Sequence, residues 1–196
     1  KPKKFISNIV NTSFYCLDKK IFDSIIKIKK SERSEFELPD AIKLLSKEDK
    51  IYCVHSKQWL PIGYPWDLLK TDRILRKNRN LIGKNSKITE KLKNSTIGND
   101  CVIKGNVENS IIMDHTIVDS SSIVKDSVIG DNVYFKGEII SENNVFSAVN
   151  GRKIKVEKLG AIIADNVKAK NVTINAGCKI WPNQKIFNKI IKRDMI

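Results

Sequence analysis

Apolar positions along the chain follow two patterns that meet near residue 80. In the first half the pattern is that of a mixed α/β unit. Residues 8–17 are rich in β-branched and aromatic side chains and predict a strand. Asp18 can cap a helix running to Lys30, with Ile21, Phe22, Ile25, Ile26 and Ile28 on its apolar side. Residues 38–46 predict a short helix that tolerates Pro39 in its first turn. Residues 51–55 read as a short strand, and residues 65–77 as a helix burying Trp66, Leu68, Leu69, Ile74 and Leu75. Asn78, Arg79 and Asn80 then break the pattern.

From residue 81 the apolar positions recur at six. Ile97 and Ile103 are six apart, as are Ile112, Val118 and Val124. The phase slips by one residue to Ile129, with Val133 four residues later. Ile163 and Ala169 are again six apart, and after a second slip Ile174, Ile180 and Ile186 follow at six. Cys101, Val107, Val167 and Cys178 stand four residues behind an apolar position. A period of six fits neither a helix at 3.6 nor a freestanding alternating strand. It fits a left-handed parallel β-helix of triangular cross-section, one hexapeptide to a side, in which stacked coils bury a core that no single repeat could bury. Asn, Asp and Gly at 98–100 and 130–132 suit the corners, where unusual backbone angles are needed. Residues 144–158 break the period and read as a loop thrown out from a corner. The domains expected are therefore 1–80 and 81–196.

Composition narrows the function classes. There is no apolar run of about 18 residues, so no membrane span is expected, and no signal-peptide pattern. The four cysteines have no metal-ligand spacing and read as reduced thiols of a cytoplasmic protein. The net charge of +14 is compatible with phosphorylated ligands, but the lysines are scattered and no nucleic-acid-binding motif is present. Neither nucleic acid nor membrane is an expected partner.

Two long motifs stand in the first half. Residues 31–42 read SERSEFELPDAI and residues 59–69 read WLPIGYPWDLL, with NTSFY at 11–15 and Lys1-Pro2 at the start. Followed by hexapeptide repeats, they resemble the sugar-1-phosphate nucleotidylyltransferase family, in particular the archaeal two-domain type whose β-helix carries acetyltransferase activity. The resemblance covers essentially the whole chain. It implies an α/β remnant of a nucleotidyltransferase domain followed by an all-β left-handed parallel β-helix, with this chain as the C-terminal part. It also implies a homotrimer or higher multiple, a sugar-phosphate ligand, and Mg²⁺ and acetyl-CoA as cofactors of the relatives. No cofactor is expected in this chain, which has no G-x-G loop to cradle a nucleotide phosphate.

The family's reactive positions are altered here. Its W-x-D motif supplies a metal-holding aspartate, and Pro61 stands there. The glycine of its N-x-G strand is Ser13. The family's H-x-x-Y-[VL]-G-D-[SA] motif corresponds to residues 120–127, with Ser120 in place of the general-base His and Ile123 in place of the Tyr. A later glycine-rich turn corresponds to Lys136-Gly137-Glu138. Lys1, Asn11 and Asn143 retain substrate-binding positions, and Arg152, Lys153, Lys155 and Lys158 form a basic segment suited to phosphate or coenzyme A. His115 reads as a surface or interface residue and His55 as structural. The reading that follows is a nucleotidylyltransferase relative, degenerate in both sites, that acts in assembly or regulation. The alternatives are a fragment of an active glucose-1-phosphate nucleotidylyltransferase, or a hexapeptide-repeat acyl-CoA-dependent acyltransferase.

Overall fold

A computed structural model of the chain describes residues 7–195. The chain divides into two compact units, Lys1–Trp59 and Leu60–Ile196.

Within the first unit, α1 (Lys20–Lys27) and α2 (Leu38–Leu45) are the regular elements. Asp18 Oδ1 accepts the Lys20 N–H at 2.8 Å, which opens the first helix near the expected place. The helices pack through Ile21, Ala41 and Leu45. Ile21 is the sole apolar residue of α1 to be buried, for Phe22 is 63% exposed and Ile26 82%. The strands expected over 8–17 and 51–55 are not formed. Both segments carry no ladder, because a strand exists only with a neighbour to take its N–H and C=O groups. Their apolar side chains stand in water, with Phe14 91% and Val54 94% exposed.

The second unit starts with α3 (Asp67–Leu75), shorter than the expected 65–77. The Asp67 carboxylate accepts the backbone N–H groups of Gly63 and Tyr64 at 2.8 and 2.9 Å and folds the GYPW turn onto the helix start. Trp66 and Leu69 are buried as expected, whereas Ile74 and Leu75 are exposed. Arg76 takes the inward place instead. Its Nε bonds Asp72 Oδ2 at 2.7 Å and its guanidinium donates to the Arg79 carbonyl at 2.9 Å. Asp72 also accepts the Thr96 hydroxyl of the β-helix.

The β-helix follows as six coils. The first is β1 (Leu81–Ile82), β2 (Lys87–Ile88) and β3 (Leu92–Lys93), and the second is β4 (Thr96–Ile97), β5 (Val102–Ile103) and β6 (Asn106–Glu108). The third is β7 (Ile111–Ile112), β8 (Ile117–Val118) and β9 (Ile123–Lys125). The fourth is β10 (Val128–Ile129) and β11 (Tyr134–Ile139), interrupted by a hairpin of β12 (Glu142–Val149) and β13 (Arg152–Leu159). The fifth is β14 (Ile162–Ile163) and β15 (Lys168–Ile174), and the sixth β16 (Lys179–Ile180) and β17 (Lys185–Ile191). One face is the six-stranded parallel sheet β1-β4-β7-β10-β14-β16. The other two faces share β11, β15 and β17, each of which runs round a corner.

The step from the first face to the second is six residues in each of these coils. Ile97/Ile103, Ile112/Val118, Ile129/Phe135, Ile163/Ala169 and Ile180/Ile186 are the inward pairs of the first and second faces, and all are buried. In each coil at least one of the remaining steps is shorter, as from Ile103 to Val107 or from Val124 to Ile129. Thr96 therefore pairs with Ile111, fifteen residues on, and Ile111 with Val128, seventeen on, where three full hexapeptides would give eighteen. These shortened sides are the phase slips of the sequence. Every apolar position named from the period lies in the core, together with Phe135, Ile139, Ala161, Val172 and Ile191, which the period did not single out.

The corners are built by residues with left-handed backbone. Asn85, Asp100, His115, Asn132, Asn166 and Asn183 stack at one corner, all at positive φ. Asn and Asp adopt this region at less cost than other side chains. The next polar layer satisfies the backbone between coils. The Asn99 N–H donates to Asp114 Oδ1 at 2.7 Å, Asp114 N–H to Asp131 at 2.8 Å, and Asp131 N–H to Asp165 at 2.9 Å. A buried serine ladder serves another corner, where Ser95 Oγ accepts from Ser110 N–H and Ser110 Oγ from Ser127 N–H, each at 3.1 Å.

Residues 144–158, read as a loop, form the β12–β13 hairpin instead. Its turn is Asn150-Gly151, both at positive φ (48° and 73°), which matches the twist of the flanking strands. Ile154 and Val156 alternate with charged residues, and the hairpin lays Val145, Val156 and Leu159 against Trp66, Leu69 and the outward Val128 of the first face. The outer side of that face is thereby covered by α3 and the hairpin, making a second core outside the coil.

Candidate functional site

Lys1 lies outside the described residues. Asn11 is tied into its own turn, with Nδ2 donating to the Tyr15 hydroxyl at 2.6 Å and Oδ1 accepting the Ser13 N–H at 2.8 Å. Ser13 has φ 60°, the left-handed value a glycine takes without strain. Ser34 has φ 60° too. Ser13 thus keeps a left-handed backbone although the glycine is lost. His55 is exposed and sits in no strand.

Pro61 precedes the GYPW turn and is exposed. Its ring offers no oxygen or nitrogen donor to a cation. Among the described residues no three His, Cys, Asp or Glu side chains gather as a metal-holding group. The residues present do not fit the Mg²⁺ that the resemblance implies.

On the β-helix, Ser120 sits exposed at the corner between β8 and β9, its N–H donating to Asp119 Oδ1 at 2.8 Å. Ile123 is half-buried in β9, in register with Glu138 of β11. Neither side chain can take a proton near neutral pH. Asp119 is the carboxylate beside them. It accepts the Tyr134 hydroxyl at 2.6 Å and stands 3.6 Å from Lys136 Nζ. The Tyr134 bond above all, then the Ser120 N–H, holds Asp119 below the usual carboxylate range, and the same bond raises the Tyr134 phenol. A carboxylate so held is a weak base.

Lys136-Gly137-Glu138, expected as a turn, lies inside β11 at a register shift against β15. A Cβ on Gly137 would meet the Val172 carbonyl of the next coil, so the bare backbone is what lets the two coils approach. Asn143 is exposed on β12 opposite Lys158. His115 is exposed at its corner, Nε2 lying 3.9 Å from Asp100 Oδ2.

The basic segment of the sequence is split by the hairpin. Arg152, Lys153 and Lys155 point to solvent. Lys158 turns back to Asp126, with Nζ 3.1 Å from Oδ2. Asp126 is 2% exposed and also accepts the Ser141 hydroxyl at 2.6 Å and the Asn109 amide, which itself accepts from Arg73 at 3.0 Å. Sequence reasoning missed Asp126 as the anchor of the hairpin, because its partners lie 15 to 32 residues away. Lys158 thereby pairs with a buried carboxylate of the coil.

A cleft of about 1050 Å³ opens between the GYPW turn, the hairpin tip and the last coil. Tyr64, Val149, Arg152, Lys179, Trp181 and Asp194 line it. Tyr64 stacks on Trp66 with ring centroids 4.9 Å apart. Lys179 Nζ bonds Asp194 Oδ2 at 2.6 Å and the Ala148 carbonyl at 2.5 Å, so it braces the hairpin against the last coil. The buried thiols carry no reactive chemistry. Desolvation raises Cys101, and it pushes Cys178 up to about 11 with help from Asp194.

Comparison with known proteins accounts for both halves. Residues 1–78 match the family model described as nucleotidyl transferase, and residues 79–138 the one described as GlmU-like, C-terminal hexapeptide. The bifunctional protein GlmU of Methanocaldococcus jannaschii is 34% identical over 236 residues, covering 93% of this chain and 57% of that protein. The one from Methanococcus aeolicus is 34% identical over 249 residues, covering 100% of this chain and 60% of the relative. The bifunctional sugar-1-phosphate nucleotidylyltransferase/acetyltransferase of Sulfurisphaera tokodaii is 29% identical, covering 100% and 62%. The chain thus spans roughly three-fifths of these relatives' length. The alignment with the M. aeolicus protein runs to 249 positions although this chain has 196 residues, so the relative carries residues within the matched span that are missing here. Over 93–100% of its length the chain is therefore similar to these bifunctional relatives, with a nucleotidyl transferase match followed by a hexapeptide match.

Proposed function

We propose that this chain is a sugar-1-phosphate nucleotidylyltransferase relative in which both reaction centres have lost their reactive atoms, and whose β-helix serves assembly or regulation in the cytoplasm. The observation that carries the reading is the Ser120 corner. Where relatives place an imidazole, this chain has an exposed hydroxyl beside Asp119, and that carboxylate is held ionised by Tyr134 and Lys136. A hydroxyl of high pKa and a weak carboxylate base cannot accept the proton of a sugar amine at neutral pH. Pro61 supports the same reading for nucleotidyl transfer, since transferring phosphoryl charge calls for a cation that this position cannot hold.

The fold supports an assembly role. The coil buries its own core and caps one outer face with α3 and the hairpin, which leaves two flat faces for self-association. A homotrimer of the 22.3 kDa chain is the state we expect in solution, and a monomeric mass by light scattering would remove this part of the reading.

A second reading, a fragment of an active glucose-1-phosphate nucleotidylyltransferase, is favoured by Ser13, whose glycine-like backbone preserves the motif geometry. One pair of assays separates it from the first and also tests the acyl-CoA-dependent alternative. The chain is expected neither to release pyrophosphate from a nucleoside triphosphate with a sugar 1-phosphate nor to release free thiol from acetyl-CoA with glucosamine 1-phosphate. Turnover above the no-enzyme rate in either assay overturns the degenerate reading.

A further inference from the structure

The hairpin turn Asn150-Gly151 is the only Asn-Gly pair in the sequence. Both residues are exposed and left-handed, and a Cβ added to Gly151 would meet nothing within 4 Å. Asparagines of the coil corners are held differently. The Asn85 carboxamide donates to Asp100 at 3.0 Å, that of Asn132 to Asn166 at 2.9 Å, and that of Asn109 to Asp126. Each is tied to the next coil, and each is followed by a residue whose side chain crowds its own amide nitrogen. Gly151 has no side chain, so its nitrogen is open to the Asn150 carboxamide carbon. Arg152 and Lys153 follow, both exposed, and their positive charge favours loss of the proton from that nitrogen. The tip is also braced from the last coil. Lys179 Nζ donates to the Ala148 carbonyl at 2.5 Å and to Ser147 Oγ at 3.2 Å.

We infer that Asn150 is a modification site, where the turn converts itself through a cyclic imide to aspartate and isoaspartate, and that the isoaspartyl form releases the hairpin tip from Lys179. The Gly151 nitrogen gives its proton to solvent and attacks Asn150 Cγ. An N–Cγ bond forms, the Cγ–Nδ2 bond breaks, and ammonia leaves with a proton taken from solvent. Water then opens the ring. Attack at Cγ gives aspartate, and attack at the Asn150 backbone carbonyl gives isoaspartate, whose main chain runs through Cβ and Cγ. Nothing is oxidised or reduced, and water is the sole co-reactant. Ring closure needs the Asn150 backbone to rotate out of its left-handed well, so a braced turn reacts more slowly than an open one. Isoaspartate adds a methylene to the backbone of a two-residue turn that sets the hairpin register, and the Val149–Arg152 pair closing that turn is lost. The inference concerns the hairpin alone and does not depend on whether the chain turns over substrate.

Ageing the full chain at mildly acidic and mildly alkaline pH tests it. Peptide mass spectrometry assigns each mass gain to its asparagine, and an isoaspartyl methyltransferase with a labelled methyl donor marks the isoaspartyl product. Asn150 is expected to convert at least tenfold faster than Asn85, Asn109 and Asn132, and faster at alkaline pH, where more of the nitrogen is deprotonated. Asn150→Gly keeps a two-residue turn of the same class and is expected to abolish the labelling. Lys179→Met removes the brace and is expected to speed conversion several-fold. In the isoaspartyl fraction, amide exchange across Glu142–Leu159 is expected to quicken while the first three coils stay as they were. Freshly prepared Asn150→Asp adds the charge without the extra methylene and is expected to leave that exchange unchanged. Conversion no faster than at the coil corners, an unchanged rate in Lys179→Met, or unaltered exchange in the isoaspartyl fraction would each overturn the inference.

Discussion

The β-helix and the N-terminal unit both carry runs of β-branched and aromatic residues, yet one buries them and the other leaves them in water. Val118, Val124, Ile129 and Ile163 are at most 1% exposed, whereas Val10 is 59%, Tyr52 84% and Val54 94% exposed. The difference lies in how far along the chain each strand must look for its partner. A coil finds its neighbour fifteen or seventeen residues on, so a local period is enough to specify the pairing. The segments 8–17 and 51–55 find no strand within the described residues, and a strand pattern without a partner is only an extended chain.

The comparison can be broken most directly at the core. Phe135→Ala, at a fully buried position of β11, is expected to cost about 3–5 kcal/mol in denaturant unfolding, against about 0.5 kcal/mol or less for Val54→Ala. Equal losses would mean that the N-terminal unit is as closed as the coil. Next in size is the anchor of the hairpin. Asp126→Ala removes the acceptor shared by Lys158, Ser141 and Asn109 and is expected to cost about 1–3 kcal/mol, with faster amide exchange across Glu142–Leu159 than across the first three coils. Uniform exchange would show that the hairpin needs no such anchor.

A smaller effect of opposite sign is expected in the N-terminal unit. Ser13→Gly and Ser34→Gly each relieve a left-handed serine and should stabilise by about 0.5 kcal/mol, as the midpoint of a denaturant titration would reveal. Asn132→Gly, at a β-helix corner that asparagine already suits and where its amide bonds Asn166, should not stabilise.

The smallest effect is electrostatic. Asp119 is lowered in the fold, so its contribution is present above its ordinary pKa of about 3.9 and fades as pH falls through the folded value. Tyr134 is raised, so its contribution is present below about 10 and fades as pH rises through the folded value. The bond therefore acts between roughly pH 4 and 10. Tyr134→Phe should flatten the unfolding midpoint at both ends of that window, and an unchanged profile would show that the bond adds nothing to stability.

Much of the candidate site was legible in the sequence as a set of losses, for a proline and a serine declare their missing atoms wherever they fold. Ser13 was legible as a departure, but its left-handed backbone was not, since φ depends on the turn around it. Lys158 shows the limit most clearly. Counted in a basic run it reads as a phosphate ligand, and in the fold it belongs to Asp126.

The sequence alone determined the repeat, most of the inward residues and two of the corner turns of the β-helix, because each depends on spacings shorter than one coil. The tertiary structure decided what lies across coils and outside them. It set the short sides that produce the phase slips, the Asn-Gly hairpin that caps the first face with α3, and the register that puts Lys168 opposite Lys185. These depend on which residues meet after the chain has travelled seventeen or thirty-four positions, and no local period encodes that distance.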